Sequence, residues 1–177
     1  MKLIDNIADK SSFYLKNKYR DELPSEQIIR YALKLIILNV IPVLIVVFVA
    51  TYLNIVPQSI TALISFSLLR MFSGGFHFKS AEYCIVFSSL MIIVISKFGF
   101  LLSDCSFIMY CVCIVLVMIY APSKIKEQTR VKEEYFHRFK IISLVIVSLF
   151  YIWDNPVSNL AILVQSLLLI YRKGGEK

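Results

Sequence analysis

Charge is scarce in this chain. Asp, Glu, Lys and Arg make up 18% of its 177 residues, 58% are hydrophobic, and the mean hydropathy of +0.74 leaves too little polar surface for a soluble domain. Apolar runs recur along most of the length; they exclude disorder, collagen, a coiled coil and a disulfide-rich secreted module, and the length suits one domain. A cleavable signal peptide is also missing. Residues 1–20 carry acids and bases throughout, with no continuous apolar core and no small-residue cleavage site, so the N-terminus is expected to be retained. Internal repeats and low-complexity stretches are absent as well. A net charge of +7 would suggest nucleic acid for a soluble protein. Here the bases sit between apolar runs, where anionic membrane lipids and topology account for them, and no nucleic-acid partner is expected.

What the chain does have is a series of apolar stretches. The clearest is 35–56, close to the roughly 20 residues that cross a hydrocarbon core, and Pro42 is tolerable inside a membrane helix. Others cover 59–69, 83–96, 107–121, 141–153 and 157–171, several of them short enough to be tilted, broken or re-entrant. They are apolar all round rather than alternating, which favours helices over a closed β-barrel. The expected fold is therefore an all-α integral membrane protein of about six transmembrane or partly re-entrant helices. In the N-terminal segment 1–34, Leu3, Ile4, Ile7, Ala8, Ser11, Tyr14 and Leu15 recur at helical spacing while Lys2, Asp5, Asp9, Lys10, Lys16 and Lys18 mostly point elsewhere. That pattern predicts an amphipathic helix, lying on the membrane surface or packed against other helices.

Charge placement supports an even number of crossings. With the N-terminus in the cytoplasm, the bases of 1–34, Arg70 and Lys79, the basic segment 122–140 and the C-terminal Arg172, Lys173 and Lys177 all fall inside. Only Lys97 falls outside, with Asp104 and Asp154. Both termini and the segments around 70–82 and 122–140 are expected to be cytoplasmic.

Cytoplasmic thiols stay reduced, so the four cysteines do not form a disulfide framework. Cys111 and Cys113, two residues apart in an apolar helix, point in different directions and suit core positions; Cys105 reads as a loop or interface thiol. Cys84 differs because it follows the stretch Arg70-Met71-Phe72-Ser73-Gly74-Gly75-Phe76-His77-Phe78-Lys79-Ser80. Adjacent glycines between apolar runs permit positive φ and close backbone approach, and predict a helix break that leaves a turn or pocket at the membrane surface. A cysteine with a histidine nearby can do thiolate chemistry: the imidazole takes the thiol proton and the sulfur attacks an acyl carbon. Spacing alone does not establish contact. Seven residues along a straight helix would separate the two by about 10 Å, so a dyad of His77 and Cys84 requires a bend between them. A structural thiol and an ordinary polar histidine remain the other reading of the pair.

Arg70, Gly74-Gly75, His77, Ser80 and Cys84 at these spacings, with the basic segment after Tyr120-Ala121-Pro122, resemble the accessory gene regulator B family of bacterial quorum-sensing peptidases. The length, basic amphipathic start and six-span layout are similar too, so the likeness covers nearly the whole chain. One departure is that no second proline follows the Ala-Pro pair within 123–140. The resemblance implies a membrane cysteine endopeptidase with its site, residues 70–84, at the cytoplasmic face of the bacterial cell membrane. It would remove the C-terminal tail of a small amphipathic autoinducer pro-peptide and promote thiolactone or lactone closure. Cys84 would be the nucleophile and His77 the general base. Arg70, Gly74, Gly75 and Ser80 would bind substrate or shape the pocket.

Arg70 can bind a peptide carboxylate or carbonyl, or hold the glycine loop, although an arginine at the inner end of a helix also serves topology. Ser80 and Glu82 could orient His77 or simply form a solvated turn. His137, among Lys132, Glu133, Glu134, Arg138 and Lys140, reads as part of a mixed-charge surface rather than a second active centre. That basic surface could still meet the pro-peptide. With no HExxH pattern and no four-ligand Cys/His set, no metal or other cofactor is expected. The competing functional reading is a small transporter or scaffold, and it predicts that Cys84 is dispensable. Ser59, Thr61, Ala62, Ser65 and Ser67 offer a small-residue face on which a homodimer could pack.

Overall fold

The computed structural model describes residues 3–20, 22–75, 80–123 and 135–170. Among these residues the regular structure is helical: α1 (Leu3–Lys18), α2 (Glu26–Leu53), α3 (Val56–Ser73), α4 (Ala81–Phe98), a 3₁₀ segment Gly99–Cys105, α5 (Ser106–Tyr120), α6 (Phe136–Trp153) and α7 (Pro156–Leu167). Length and composition make Glu26–Leu53, Glu82–Tyr120 and Phe136–Trp153 apolar enough to cross a membrane. Phe48, Tyr52, Leu101 and Ile152 are each more than three-quarters exposed, a distribution that suits lipid rather than water.

Each apolar run of the sequence becomes a helix, with boundaries set by local chemistry. The first run starts well before residue 35, because α2 extends back to Glu26, and it stops at Leu53, where Asn54 takes the left-handed conformation at φ 55°. Val56 therefore opens α3, with Pro57 in its first turn, where a missing N–H costs nothing. The same device joins α6 to α7. Asp154 turns the chain at φ 49°, Pro156 begins the next helix, and the Asn155 side chain accepts from the Val157 and Ser158 N–H groups at 3.1 and 3.2 Å.

The stretch Glu82–Tyr120 is two oppositely directed helices rather than one. Cys84 shares a cleft with Leu168 and Gly99 touches Val157, so α4 runs antiparallel to α7. Asn159 then donates to Ser106 Oγ at 3.3 Å, and Cys113 bonds Ser166, so α5 runs parallel to α7. The reversal occurs in the 3₁₀ segment, where Leu102 leaves helical geometry. Gly99 is required there: a Cβ would lie 2.8 Å from Val157 Cα.

Helix α7 occupies the centre. At 12 residues it is only about 18 Å long, yet Val157, Ser158, Asn159, Ala161, Ile162, Gln165 and Ser166 are all buried. It joins one core of Val46, Ala62, Phe66, Ile92 and Ile95 to another of Leu69, Cys113, Val117 and Val147. In lipid such contacts hold helices by close packing and interhelical hydrogen bonds, each of the latter worth about 0.6 kcal/mol. Ser65 Oγ lies 2.9 Å from Ser158 Oγ in the buried α3–α7 contact. Ser59, Ala62 and Ser65, offered by the sequence as a dimer face, are thus buried within the chain.

The N-terminal helix exists and packs on α2. Ile4, Ala8 and Ser12 are buried, and ion pairs join Asp9 to Arg30 and Asp5 to Lys34. Ile7 and Tyr14, assigned to the same apolar face, are exposed. Residues 124–134, most of the basic segment 122–140, lie outside the described residues.

Candidate functional site

The Gly74-Gly75 pair ends α3 as its spacing predicts. Gly74 has φ 72° and Gly75 has φ 134°, values that a side chain disfavours strongly. Backbone from a segment remote in sequence clamps the turn: Ser123 N–H donates to the Ser73 carbonyl at 2.9 Å, and Gly75 N–H donates to the Ser123 carbonyl at 3.1 Å. Ser123 directly follows the Ala121-Pro122 pair, so the two recognisable stretches of the sequence meet here.

Helix α4 restarts at Ala81, with Ser80 extended at φ −97°, ψ 131°. Cys84 therefore sits in the first turn and a half of a new helix, its N–H bonded to the Ser80 carbonyl at 3.2 Å. The helix that carries Cys84 thus begins at Ala81 and does not extend back through Ser80. His77 itself, with the rest of 76–79, lies outside the described residues.

Cys84 is half-buried at the edge of a cleft of roughly 240 Å³, including its open mouth, lined also by Phe66, Arg70, Phe87, Ser88, Met91 and Leu168. The walls are apolar apart from Arg70, Ser88 and the thiol. Arg70 lies close enough to Cys84 for electrostatic interaction, and its guanidinium stands 5.6 Å from the centre of the Phe66 ring. A cation beside a thiol in a low-dielectric cleft favours any negative charge that develops there.

Ser80 Oγ donates to Glu82 Oε2 at 2.6 Å, so these two candidates for orienting the histidine engage each other. His137 is exposed in the first turn of α6. Cys113 is buried while Cys105 and Cys111 are exposed, and no disulfide joins the four cysteines, all of them described residues.

Sequence reasoning missed Gln165. Its Nε2 donates to the Gly74 carbonyl at 2.7 Å and to Ser73 Oγ at 3.3 Å, while Oε1 accepts from Arg70 Nη1 at 3.4 Å. The available signal was a carboxamide inside the apolar run 157–171, since a polar side chain at such depth needs partners.

A family model described as Accessory gene regulator B matches residues 2–171. The chain belongs to the accessory gene regulator B family. Among its relatives is an Accessory gene regulator protein B from Staphylococcus aureus (strain bovine RF122 / ET3-1), 25% identical over 96% of this chain and 96% of that protein. No solved structure matches the chain.

Proposed function

We propose that this member of the accessory gene regulator B family processes a quorum-sensing pro-peptide as a membrane cysteine endopeptidase. The observation that carries the reading is the shared cleft: Cys84 and Arg70 face one apolar hollow beside a glycine turn of positive φ. A thiol and a cation in a water-poor pocket suit acyl transfer at a peptide bond.

In this mechanism His77 takes the Cys84 proton and the sulfur attacks the scissile carbonyl carbon. The carbonyl electron pair moves to oxygen, and Arg70 or N–H groups of the glycine turn stabilise that charge. Collapse of the adduct breaks the C–N bond; the departing amine of the C-terminal tail takes the proton back from His77. A thioester between Cys84 and the remaining peptide is left. A cysteine thiol within that peptide can then attack the same carbonyl, exchanging one thioester for another, closing a thiolactone and returning Cys84 as a thiol. Holding that thiol against the acyl group supplies the effective concentration that lets cyclisation outrun hydrolysis. A serine at that place in the peptide would give a lactone. The basic cytoplasmic surface would attract an acidic tail, and anionic lipids would hold the enzyme and the amphipathic substrate in one interface.

The test is His77→Ala in liposomes with a candidate pro-peptide, sought as a short open reading frame beside the gene. Loss of a general base lowers tail release by roughly 10²–10⁴-fold while membrane insertion is retained. Turnover within twofold of native would remove His77 from the mechanism.

A further inference from the structure

Gln165 is fully buried in the central helix α7, where an unpaired carboxamide would be costly. Both ends of the amide are used. Nε2–H groups reach the Gly74 carbonyl at 2.7 Å and Ser73 Oγ at 3.3 Å, and Oε1 receives Arg70 Nη1 at 3.4 Å. A carboxamide is planar, so its donor and acceptor keep a fixed separation. One side chain therefore sets the distance between the glycine turn, which lies against Leu168, and the guanidinium of Arg70; Leu168 and Arg70 both line the cleft that holds Cys84. The turn packs closely on it: a Cβ at Gly75 would lie 3.3 Å from Gln165 Nε2. One turn of α7 further on, Leu168 lines the same cleft.

We propose that Gln165 is a positioning residue for the Cys84 cleft, holding the Gly74-Gly75 turn and Arg70 in register with each other; this rests on the cysteine-peptidase reading. A purely structural tie between the same two helices exists for comparison in the Ser65–Ser158 hydrogen bond, whose residues do not line the cleft.

The experiment measures kcat and KM for tail release in liposomes with the native chain, Gln165→Met and Ser158→Ala. Methionine fills a similar volume but donates nothing to Gly74. Misplacing the turn by a fraction of an ångström is expected to lower kcat roughly 10- to 100-fold while KM moves less than about threefold. Ser158→Ala keeps a kcat within about twofold of native, since it loses one buried hydrogen bond away from the cleft. A native kcat in Gln165→Met overturns the proposal, as does an equal loss in Ser158→Ala. Where Gln165→Met does not insert, Gln165→Glu decides: its carboxylate still accepts from Arg70 but has no proton for Gly74, and it is expected to show the same loss of kcat. Absence of cleavage by the native chain would instead overturn the peptidase reading beneath the proposal.

Discussion

Replacement of Cys84 by serine is expected to reduce tail release by roughly 10³-fold or more, with the protein still folded and inserted. The hydroxyl occupies nearly the same space at the mouth of the cleft, so packing against Phe87, Met91 and Leu168 changes little. What changes is chemistry. A serine oxygen is a poor nucleophile without a strong base, and its ester is a less activated acyl donor for ring closure than a thioester. The other cysteines serve as internal controls: Cys105 and Cys111 are exposed on other segments, and serine at either should leave turnover near native. Rates of tail release per inserted molecule, with gel filtration as the folding check, separate these outcomes. Native tail release in Cys84→Ser would remove Cys84 as the nucleophile, whereas no tail release by the native chain would favour a transporter or scaffold.

The second large effect is expected at Gly75. Its φ of 134° lies where a Cβ is strained whatever space surrounds it, at a cost of about 1–3 kcal/mol. Space is also short, since the added carbon would stand 3.3 Å from Gln165 Nε2 and 3.5 Å from the Leu168 carbonyl oxygen. Relief requires the turn to move, and it is tied to Ser123 on one side and Gln165 on the other. Gly75→Ala is therefore expected to lower tail release roughly 100-fold, the scale on which a displaced site loses catalysis. The thermal unfolding temperature of the same sample should fall as well, because the added carbon also meets Leu169 of the core at 3.8 Å, so turnover is compared per folded molecule. Unchanged tail release would mean that the turn does not shape the site.

Local signals carried much of this architecture. Apolar runs gave every described helix from α2 to α7, and Gly74-Gly75 announced the break that lets α4 begin afresh at Ala81. Long-range relations were less legible. The run 157–171 reads as an under-length span; its short helix is instead central and buried, which depends on contacts with α3, α4 and α5. Ser123 gave no sign of pairing with Gly74, because a backbone bridge between remote segments leaves no periodicity. Gln165 could have been suspected as a lone deep carboxamide, but only the packing of α7 against α3 reveals its partners. The small residues of α3 were legible as a packing face, and hydropathy could not distinguish a neighbour in the same chain from one in another copy.

The most direct test of the central claim is intact-mass measurement of the native protein mixed with its pro-peptide in liposomes and quenched in acid within the first turnover. The expected result is an added mass equal to that of the pro-peptide minus that of the released tail, removable by hydroxylamine and mapping to Cys84, together with the free tail. Tail release with no such adduct, or an adduct that persists in Cys84→Ser, would contradict a Cys84 thioester.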